Sequence, residues 1–295
     1  AESKTVSVTG NGTLITQTQS VTFVPDVASQ LSITQQPSTT ATAGVVFAQQ
    51  PVINVLDQFS NLVTDSAAVI TATKHSDANP DVLKGTLTAT ASGGVATFSG
   101  LNYEKASTVT IDFSNDGLTP ITSGSINVSP NVPATVTFTT QPHSNVGNTV
   151  DNILSTQPIV KVVDGYGNNV ADGTGVILSK SGGVGDLRGT LTKTTTGGTA
   201  TFNDIGYNSS ADSFTIVATA GAVPSTPSAS IGPLLAGIIK TFTLSAGTSQ
   251  TAGIPFGVSV SGAVDQFGNP ASGTVIISAS SGDGNSPSGA PATFG

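Results

Sequence analysis

A five-residue signal, Asp-x-Phe/Tyr-Ser/Gly-Asn, occurs three times along the 295 residues of this chain. Its copies are Asp57–Asn61, Asp164–Asn168 and Asp265–Asn269, which begin 107 and 101 residues apart. Two further signals keep the same order. They are Ala-Thr-Phe, ending at Phe98, Phe202 and Phe294, and Thr-Ala-Gly-x-x-Phe, at residues 42–47 and 251–256. Such self-similarity at a fixed spacing requires a series of similar domains, each of about a hundred residues.

Within a repeat, apolar residues alternate with polar ones, which is the period of a strand with one buried face. The alternating apolar positions of the first repeat are Leu31, Ile33, Ile53, Val55, Val109, Ile111, Phe113, Ile126 and Val128. Clusters of Gly, Asn, Asp and Pro separate these runs, as expected for turns. Short strands with turns every 8–12 residues predict an all-β chain made of β-sandwiches.

Composition excludes several classes of function. Because there is no cysteine, disulfides, zinc-thiolate sites and cysteine nucleophiles are ruled out. With 9 basic against 17 acidic residues and a net charge of −8, the chain offers no basic surface for phosphates, so we expect no nucleic-acid partner. The longest apolar stretch, residues 231–239, is shorter than the roughly 20 residues of a membrane-spanning helix, so we expect no membrane insertion.

The repeats resemble bacterial Ig-like domains of the invasin and intimin type, and the resemblance covers nearly the whole chain. The segments that carry it are the Asp-x-Phe/Tyr-x-Asn turn, Gln36-Pro37 and Gln141-Pro142, and the Gly-Gly-x-Ala-Thr-Phe runs at 93–98 and 197–202. The resemblance implies tandem Ig-like sandwiches in an extracellular or cell-surface protein, where such domains serve as spacers and scaffolds. Tyr103 and Tyr207 fall where sandwich folds carry a hydrogen-bonded corner tyrosine, so we expect them to be structural.

The register of the repeats predicts four regions. Residues 1–27 form an N-terminal hairpin, 28–132 and 133–234 form two Ig-like domains, and 235–295 form a third that lacks its last two strands. The hairpin matches that missing pair, because Lys4–Val8 and Ser20–Pro25 resemble Ser107–Ile111 and Ser125–Pro130 of the first repeat.

This register predicts a function. We expect the hairpin to add its strands to the third domain of another copy, the donor-strand mode of assembly. Repeated head-to-tail, the contact would build an extracellular filament whose partners are copies of the chain itself. The predicted donor residues are Val6, Val8, Leu14, Val21 and Phe23. The predicted acceptor residues are Phe242, Leu244, Val258, Val260, Val275, Ile277 and Phe294.

A second interpretation stays open, in which the chain is a window of a longer covalent array that forms the stalk of an adhesin or surface-layer protein. The number of positions from the Ala-Thr-Phe phenylalanine to the first core residue of the next strand helps to distinguish the filament from the covalent array. Val109 follows Phe98 by eleven positions, and Phe214 follows Phe202 by twelve. Joining Gly295 directly to Ala1 would place Val6 only seven positions after Phe294, so either four or five residues are missing between the two ends or the crossing is between separate chains.

Catalytic and metal chemistry find little support in the sequence. His75 and His143 lie in unrelated loops without an ordered catalytic motif, so we expect no enzyme and no cofactor. Calcium is an alternative at Asp77, Asn79 and Asp81, which copy the opening of an EF-hand loop, and at the cluster of Asp112, Asn115 and Asp116. The first of these departs from the EF-hand pattern, with Val82 in place of the glycine and Thr88 in place of the glutamate.

Overall fold

The computed structural model describes residues 2–75, 81–249, 251, 254 and 256–277. All regular elements in this described part are β-strands, which confirms the all-β prediction. None of the described residues belongs to a helix with the length and apolar character needed to cross a membrane.

The N-terminal hairpin consists of β1 (Glu2–Gly10) and β2 (Thr13–Phe23). Asn11 and Gly12 have φ angles of 46° and 79°, and a two-residue turn with both φ positive matches the twist of the strands. The turn pairs Gly10 with Thr13, which places Val6 opposite Gln19 and Val21 opposite Lys4. The two strands form a sheet of their own.

The first sandwich contains ten strands, several of them short pieces of longer interrupted strands. They are β3 (Ala28–Gln35), β4 (Thr40–Thr42), β5 (Val52–Asp57), β6 (Val69–Lys74), β7 (Thr88–Thr90), β8 (Val95–Thr97), β9 (Thr108–Val109), β10 (Ile111–Ser114), β11 (Ile121–Thr122) and β12 (Ile126–Ser129). One sheet has the order β3-β5-β8, and the opposite layer consists of β11-β10-β6-β7 and β4-β12-β9. Strand β10 pairs with β6 and the last strand, β12, pairs with β9, as expected for the last strands of an Ig-like sandwich.

The core of the first sandwich lies between these layers and comes from the alternating positions. In β5, Ile53 and Val55 are buried while their neighbours are partly exposed, and Phe98 contacts Phe113 with ring centroids 5.2 Å apart. The last strands also contribute, because Val109, Ile126 and Val128 are all buried. The predicted period of two is confirmed.

The second sandwich repeats this plan. Its strands are β13 (Thr135–Thr140), β14 (Ile159–Val163), β15 (Gly175–Ser181), β16 (Leu187–Arg188), β17 (Thr192–Thr194), β18 (Thr199–Thr201), β19 (Gly206–Tyr207), β20 (Thr215–Ala220) and β21 (Val223–Pro224). The sheets have the orders β13-β14-β18 and β17-β15-β20-β21, with β16 paired to β19. Strand β20 alternates buried and half-buried residues, so it packs like its counterpart β10.

The third repeat contributes β22 (Thr241–Ala246) and β23 (Val258–Val264), which form one two-stranded sheet. The sequence also predicts a strand at Val275 and Ile277, and this is wrong, because residues 271–277 form no strand. The physical reason is that a strand needs a hydrogen-bonded neighbour. The equivalent strands β6 and β15 are held by β10 and β20, whereas no strand pairs with residues 271–277 in the described part of the chain.

By backbone contacts the chain divides into two compact units. One consists of Ala1–Val136, Val162–Thr174 and Thr194–Thr199, and the other of Thr137–Lys161, Gly175–Lys193 and Ala200–Gly295. The turn Asp164–Asn168 therefore groups with the first sandwich, and the turn Asp265–Asn269 groups with most of the second. Each turn lies in the same unit as the domain before it.

Candidate functional site

The repeated turn is organised by its aspartate, whose carboxylate is buried at the end of a strand. Asp57 ends β5, and its Oδ1 accepts hydrogen bonds from the backbone N–H groups of Phe59 and Asn61, at 2.9 and 2.8 Å. Its Oδ2 accepts one from Asn61 Nδ2 at 3.0 Å. An aspartate that bonds the backbone two residues on is a common turn-forming device, and here the asparagine closes the ring.

The same carboxylate also binds the segment that enters the domain. Oδ2 of Asp57 accepts the N–H of Asp26 at 2.9 Å, just before β3 begins. Asp164 accepts Asn131 N–H at 2.9 Å, and Asp265 accepts Gly237 N–H at 2.8 Å. All three copies therefore tie a linker to the domain that follows it.

These hydrogen bonds hold the turn aspartates in the charged form. Burial raises the pKa of Asp57, but the bonds donated by Asn61, Asp26 and Phe59 outweigh it and lower the pKa from 3.8 to about 2. The pKa values of Asp164 and Asp265 are lowered by the same balance of burial and donated bonds. The carboxylates are therefore ionised at any pH near neutrality.

We expect acid to weaken the domains through these groups. A carboxyl with a folded-state pKa below its unfolded value stabilises the protein above the unfolded pKa, and this stabilisation is lost as pH falls through the folded pKa. For Asp57 the loss falls between about pH 4 and about pH 2. Urea unfolding of the wild type and of Asp57→Asn at about pH 5 and about pH 2 measures it. The variant does not titrate at this position, so its free energy of unfolding should differ less between the two pH values than that of the wild type. Equal differences would contradict the stabilising role of the Asp57 carboxylate.

The asparagine of the second and third turns reaches into the preceding domain. Asn168 donates from Nδ2 to the carbonyl of Glu104 at 2.8 Å, and its Oδ1 accepts the N–H of Ala106 at 3.0 Å. Asn269 does the same with the carbonyl of Asn208, at 3.0 Å, and the N–H of Ser210, at 3.1 Å. The loops that receive them start one residue after Tyr103 and Tyr207, so the two junctions use the same positions of the repeat.

The aromatic residue of the second and third turns adds a further contact to the preceding domain. A Cβ built on Gly44 would lie 2.0 Å from the Tyr166 hydroxyl, so the ring lies directly on this glycine, which also has a φ of 74°. At the other junction the Arg188 guanidinium stacks on the Phe267 ring, 4.7 Å from its centroid. Asp151 reinforces that junction by accepting hydrogen bonds from Ile238 N–H and Gln266 Nε2, at 2.9 and 2.7 Å.

The first turn lacks these outward contacts within the described residues. The Asn61 carboxamide bonds there to Asp57 and to no other residue. Phe59 is 71% exposed, against 44% for Tyr166. The first turn thus has the same internal hydrogen bonds as the other two. Its aromatic and asparagine side chains, however, face solvent and do not contact another domain in the described part.

The predicted donor residues lie on an uncovered hairpin. Val6, Val21 and Phe23 are 51%, 41% and 59% exposed. Their counterparts in the first sandwich, Val109, Ile126 and Val128, are 4%, 0% and 2% exposed. The side chains of Val8 and Leu14 lie outside the described part, although the backbone pairs Val8 with Ile15 and Thr9 with Leu14.

The predicted acceptor residues are brought together only in part. Phe242 and Leu244 lie on β22 and are exposed, while Val258 and Val260 are half-buried on β23. Val275 is half-buried and Ile277 exposed in the segment that forms no strand. Phe294 lies outside the described residues.

Other candidates from the sequence have local roles. Tyr103 and Tyr207 are buried, and the Tyr207 hydroxyl accepts Gly185 N–H at 2.8 Å and donates to Asp212 at 3.1 Å. His75 contacts Asp112 at 2.9 Å. Within the described part of the chain, no group of three or more His, Cys, Asp or Glu side chains that could hold a metal ion is found.

The calcium candidates are only partly described. In the cluster 112–116, Asn115 donates from Nδ2 to the Val69 carbonyl at 2.8 Å, so this amide closes a loop. Asp77 and Asn79 of the other candidate lie outside the described residues. Calcium binding there stays a prediction.

Sequence reasoning missed the outward role of Asn168 and Asn269. The signal for it was present: the three turns vary at their second, third and fourth positions but always keep Asp at the first and Asn at the fifth. A turn by itself needs neither residue so strictly, because Gly, Asp, Asn and Ser all serve in turns. Retention of both residues marks the turn as a defined hydrogen-bonded unit, whereas the outward bonds of Asn168 and Asn269 depend on a neighbouring repeat.

Two sandwiches of this topology, joined in tandem, define the chain as a tandem Ig-like protein. Neither a protein-family model nor a curated protein matches the sequence. Among solved structures, the Escherichia coli adhesin FdeC matches at 16% identity over 75% of this chain and 71% of that chain, with a TM-score of 0.38. The D0-D1 domain of intimin matches at 14% identity, covering 70% and 96%, with a TM-score of 0.25.

Extracellular domains 3–5 of Drosophila OTK match at 13% identity, covering 77% of this chain and 72% of that chain, with a TM-score of 0.30. At such TM-scores, none of these proteins carries a function over to this chain. The Ig-like fold rests on the sheets described above.

Proposed function

We propose that the chain is a structural subunit of an extracellular or cell-surface filament, which assembles head-to-tail by donor-strand complementation. Residues 1–27 of one copy complete the third sandwich of the next. The observation that carries the proposal is the contrast in burial between equivalent positions. Val21 is 41% exposed on the hairpin, whereas Ile126 is fully buried at the same place in a sandwich.

The energetics favour such a partner. A two-stranded hairpin alone is marginally stable in water, and its apolar face gains by being covered. Burying Val6, Val21 and Phe23 would contribute about 5–9 kcal/mol before ordering losses, an upper value from about 1.5–3 kcal/mol per side chain. The sheet β22–β23 offers the complementary surface, because Phe242 and Leu244 are exposed on it.

The register of the hairpin is compatible with this exchange. In the first sandwich Val109 pairs with Ile126, whereas in the hairpin their counterparts Val6 and Val21 pair with Gln19 and Lys4. The two registers differ by a two-residue slip. Since side chains alternate with a period of two, such a slip keeps every side chain on its face.

Head-to-tail pairing explains why a filament would result. The donor and acceptor surfaces differ, so the contact is heterologous, and a heterologous contact that does not close extends indefinitely. The extracellular setting follows from the resemblance of the repeats to surface-exposed Ig-like domains.

A second function, the stalk of a longer adhesin or surface-layer protein, is favoured by the junctions. Asn168 and Asn269 tie successive domains with the same pair of hydrogen bonds, as a covalent array of spacers would. In a stalk, the hairpin would be covered by its own chain, and the purified protein would not polymerise.

Charge placed on either face of the hairpin tests the filament. Val6 and Val21 share one face, and Thr5 and Thr22 share the other. Purified Val6→Glu/Val21→Glu should show at least about tenfold less polymer in sedimentation velocity than wild type, because charges on the buried face must be desolvated. The control Thr5→Glu/Thr22→Glu adds the same charge and should polymerise like wild type. Equal polymer in both variants, or a wild type that stays monomeric, would contradict the proposal.

A further inference from the structure

The two complete sandwiches pair the strands at the end of the domain in one common register. Val109 lies opposite Ile126 in the first sandwich, and Phe214 lies opposite Ile231 in the second. Ile231 follows Ile126 by 105 residues, and Phe214 follows Val109 by the same number, so these are equivalent positions of the repeat. This direct pairing is the register of a completed sandwich.

The N-terminal hairpin has a different register. The counterparts of Val109 and Ile126 are Val6 and Val21, but Val6 lies opposite Gln19. For the hairpin to take the register of a completed sandwich, β1 must slide by two residues along β2, a distance of about 7 Å. The side chains keep their faces in this slide, because they alternate with a period of two.

The slide moves β1 toward the first turn. Ser3 lies opposite Thr22, with their hydroxyl oxygens 3.3 Å apart, and the slide would place it opposite Val24. Val24 lines a groove of about 540 Å³, which is also lined by Ser60 and Asn61 of the first turn. None of the described residues of β1 lines this groove, so the slide would carry the start of β1 to it.

The second turn shows what fills the equivalent space. Asn168 donates from Nδ2 to the Glu104 carbonyl at 2.8 Å, and its Oδ1 accepts the Ala106 N–H at 3.0 Å. The groove beside this turn measures about 230 Å³, less than half of the groove beside the first turn, and Ala106 lines it. The third turn makes the same two bonds through Asn269. In both cases the segment that leads into the paired strands occupies this place.

The residues of the hairpin that match this segment are Ala1 and Ser3. They precede Val6 by five and three positions, which is the spacing of the two Asn168 partners from Val109. In the observed register Ser3 lies two residues short of the matching position, which explains why the first turn makes no such bond within the described residues. Ala1 itself lies outside the described residues.

The Asn61 carboxamide has the capacity for both bonds. Its Nδ2 carries two hydrogens and donates one to Asp57 Oδ2 at 3.0 Å. Asn168 Nδ2 shows that the same group can serve an aspartate and a carbonyl together, because it donates to both Asp164 and Glu104. A second donor bond at Asn61 therefore needs no change in the turn.

We infer that the first turn is a docking site for residues 1–3 of the same chain, and that a slide of β1 by two residues closes it. In the closed form Asn61 Oδ1 accepts the Ser3 N–H, and Asn61 Nδ2 donates to the Ala1 carbonyl. The trigger of the slide rests on the proposed filament, because donation to a sandwich of another copy would impose the register of a completed sandwich. Assembly then adds two hydrogen bonds between the hairpin and the first sandwich of the donor itself.

Disulfides that lock each register test the contact without a partner, because the chain contains no cysteine of its own. Thr5→Cys/Ser20→Cys joins residues that lie opposite each other in the observed hairpin. Thr5→Cys/Thr22→Cys joins the counterparts of Thr108 and Asn127, which lie opposite each other in the first sandwich. Directly opposite residues of an antiparallel pair are close enough for a disulfide, and all three hairpin positions are exposed.

Exchange of the Ser3 N–H with water, measured by NMR on the monomer, reports the contact. It should be at least about tenfold slower in Thr5→Cys/Thr22→Cys than in Thr5→Cys/Ser20→Cys, because a hydrogen-bonded amide exchanges only when the bond opens. Adding Asn61→Ala to Thr5→Cys/Thr22→Cys should remove the slowing. The closed junction calibrates the method, since Asn168→Ala should speed the exchange of the amide that bonds to it in the first sandwich.

The outcomes separate this contact from the filament. Equally fast exchange of Ser3 in the two locked variants would overturn the contact, and so would slow exchange that persists with Asn61→Ala. Sedimentation velocity of the wild type tests the filament independently. Slow exchange that depends on Asn61, together with a wild type that stays monomeric, would leave the contact standing and the filament wrong.

Discussion

Replacing Asp164 by alanine should lower the free energy of unfolding of the second sandwich by about 3–5 kcal/mol. The buried carboxylate accepts four hydrogen bonds, from Tyr166 N–H, Asn168 N–H, Asn168 Nδ2 and Asn131 N–H. Without it these donors lose a charged partner in a place where water reaches poorly, and each unsatisfied buried donor costs about 1–3 kcal/mol. The sum is discounted because neighbouring bonds are not additive.

The matched control is Asp172→Ala on the same sandwich. Asp172 is exposed and accepts one hydrogen bond, from Gly197 N–H at 2.7 Å. Its loss should lower the free energy of unfolding by less than about 1 kcal/mol. Urea unfolding of both variants at neutral pH measures the difference, and an Asp164→Ala variant as stable as Asp172→Ala would show that the turn is not held by its carboxylate.

Replacing Ile126 by alanine should lower the free energy of unfolding of the first sandwich by about 2–5 kcal/mol, because it leaves a cavity in a fully buried site. Ile126 lies on β12, the last strand of the domain, opposite Val109. A large effect would show how strongly the last strand pair stabilises an Ig-like sandwich of this chain.

Val21→Ala is the matched variant, because Val21 holds the position of Ile126 in the hairpin. In the monomer Val21 is 41% exposed, so the change should alter the free energy of unfolding by less than about 1 kcal/mol. In the assembled protein the same change should weaken the contact between copies. A Val21→Ala variant that destabilises the monomer as much as Ile126→Ala would mean that the hairpin is already buried within its own chain.

Much of the fold follows from patterns within single repeats. The alternation at Ile53 and Val55 predicts a half-buried strand, and the Asp57–Asn61 signal predicts the turn after it, because both depend on neighbours in sequence. Burial of Tyr103 and Tyr207 follows from their place in the repeat. These features are local, and local rules describe them.

Features that depend on residues far away in the sequence could not be predicted from patterns within one repeat. The strand predicted at Val275 fails because a strand needs a neighbour to hold its backbone, and periodicity does not supply one. The hairpin register is set by the Asn11-Gly12 turn and not by the alignment with the first repeat. The bond from Asn168 to Glu104 joins two repeats, so no pattern inside one repeat identifies it.

Electron micrographs of the purified chain over a range of concentrations test the central claim most directly. If residues 1–27 complete the third sandwich of another copy, wild type should form unbranched filaments with a regular repeat along their length, and Val6→Glu/Val21→Glu should not. Isolated particles of one chain at every concentration, or filaments that persist in Val6→Glu/Val21→Glu, would contradict it.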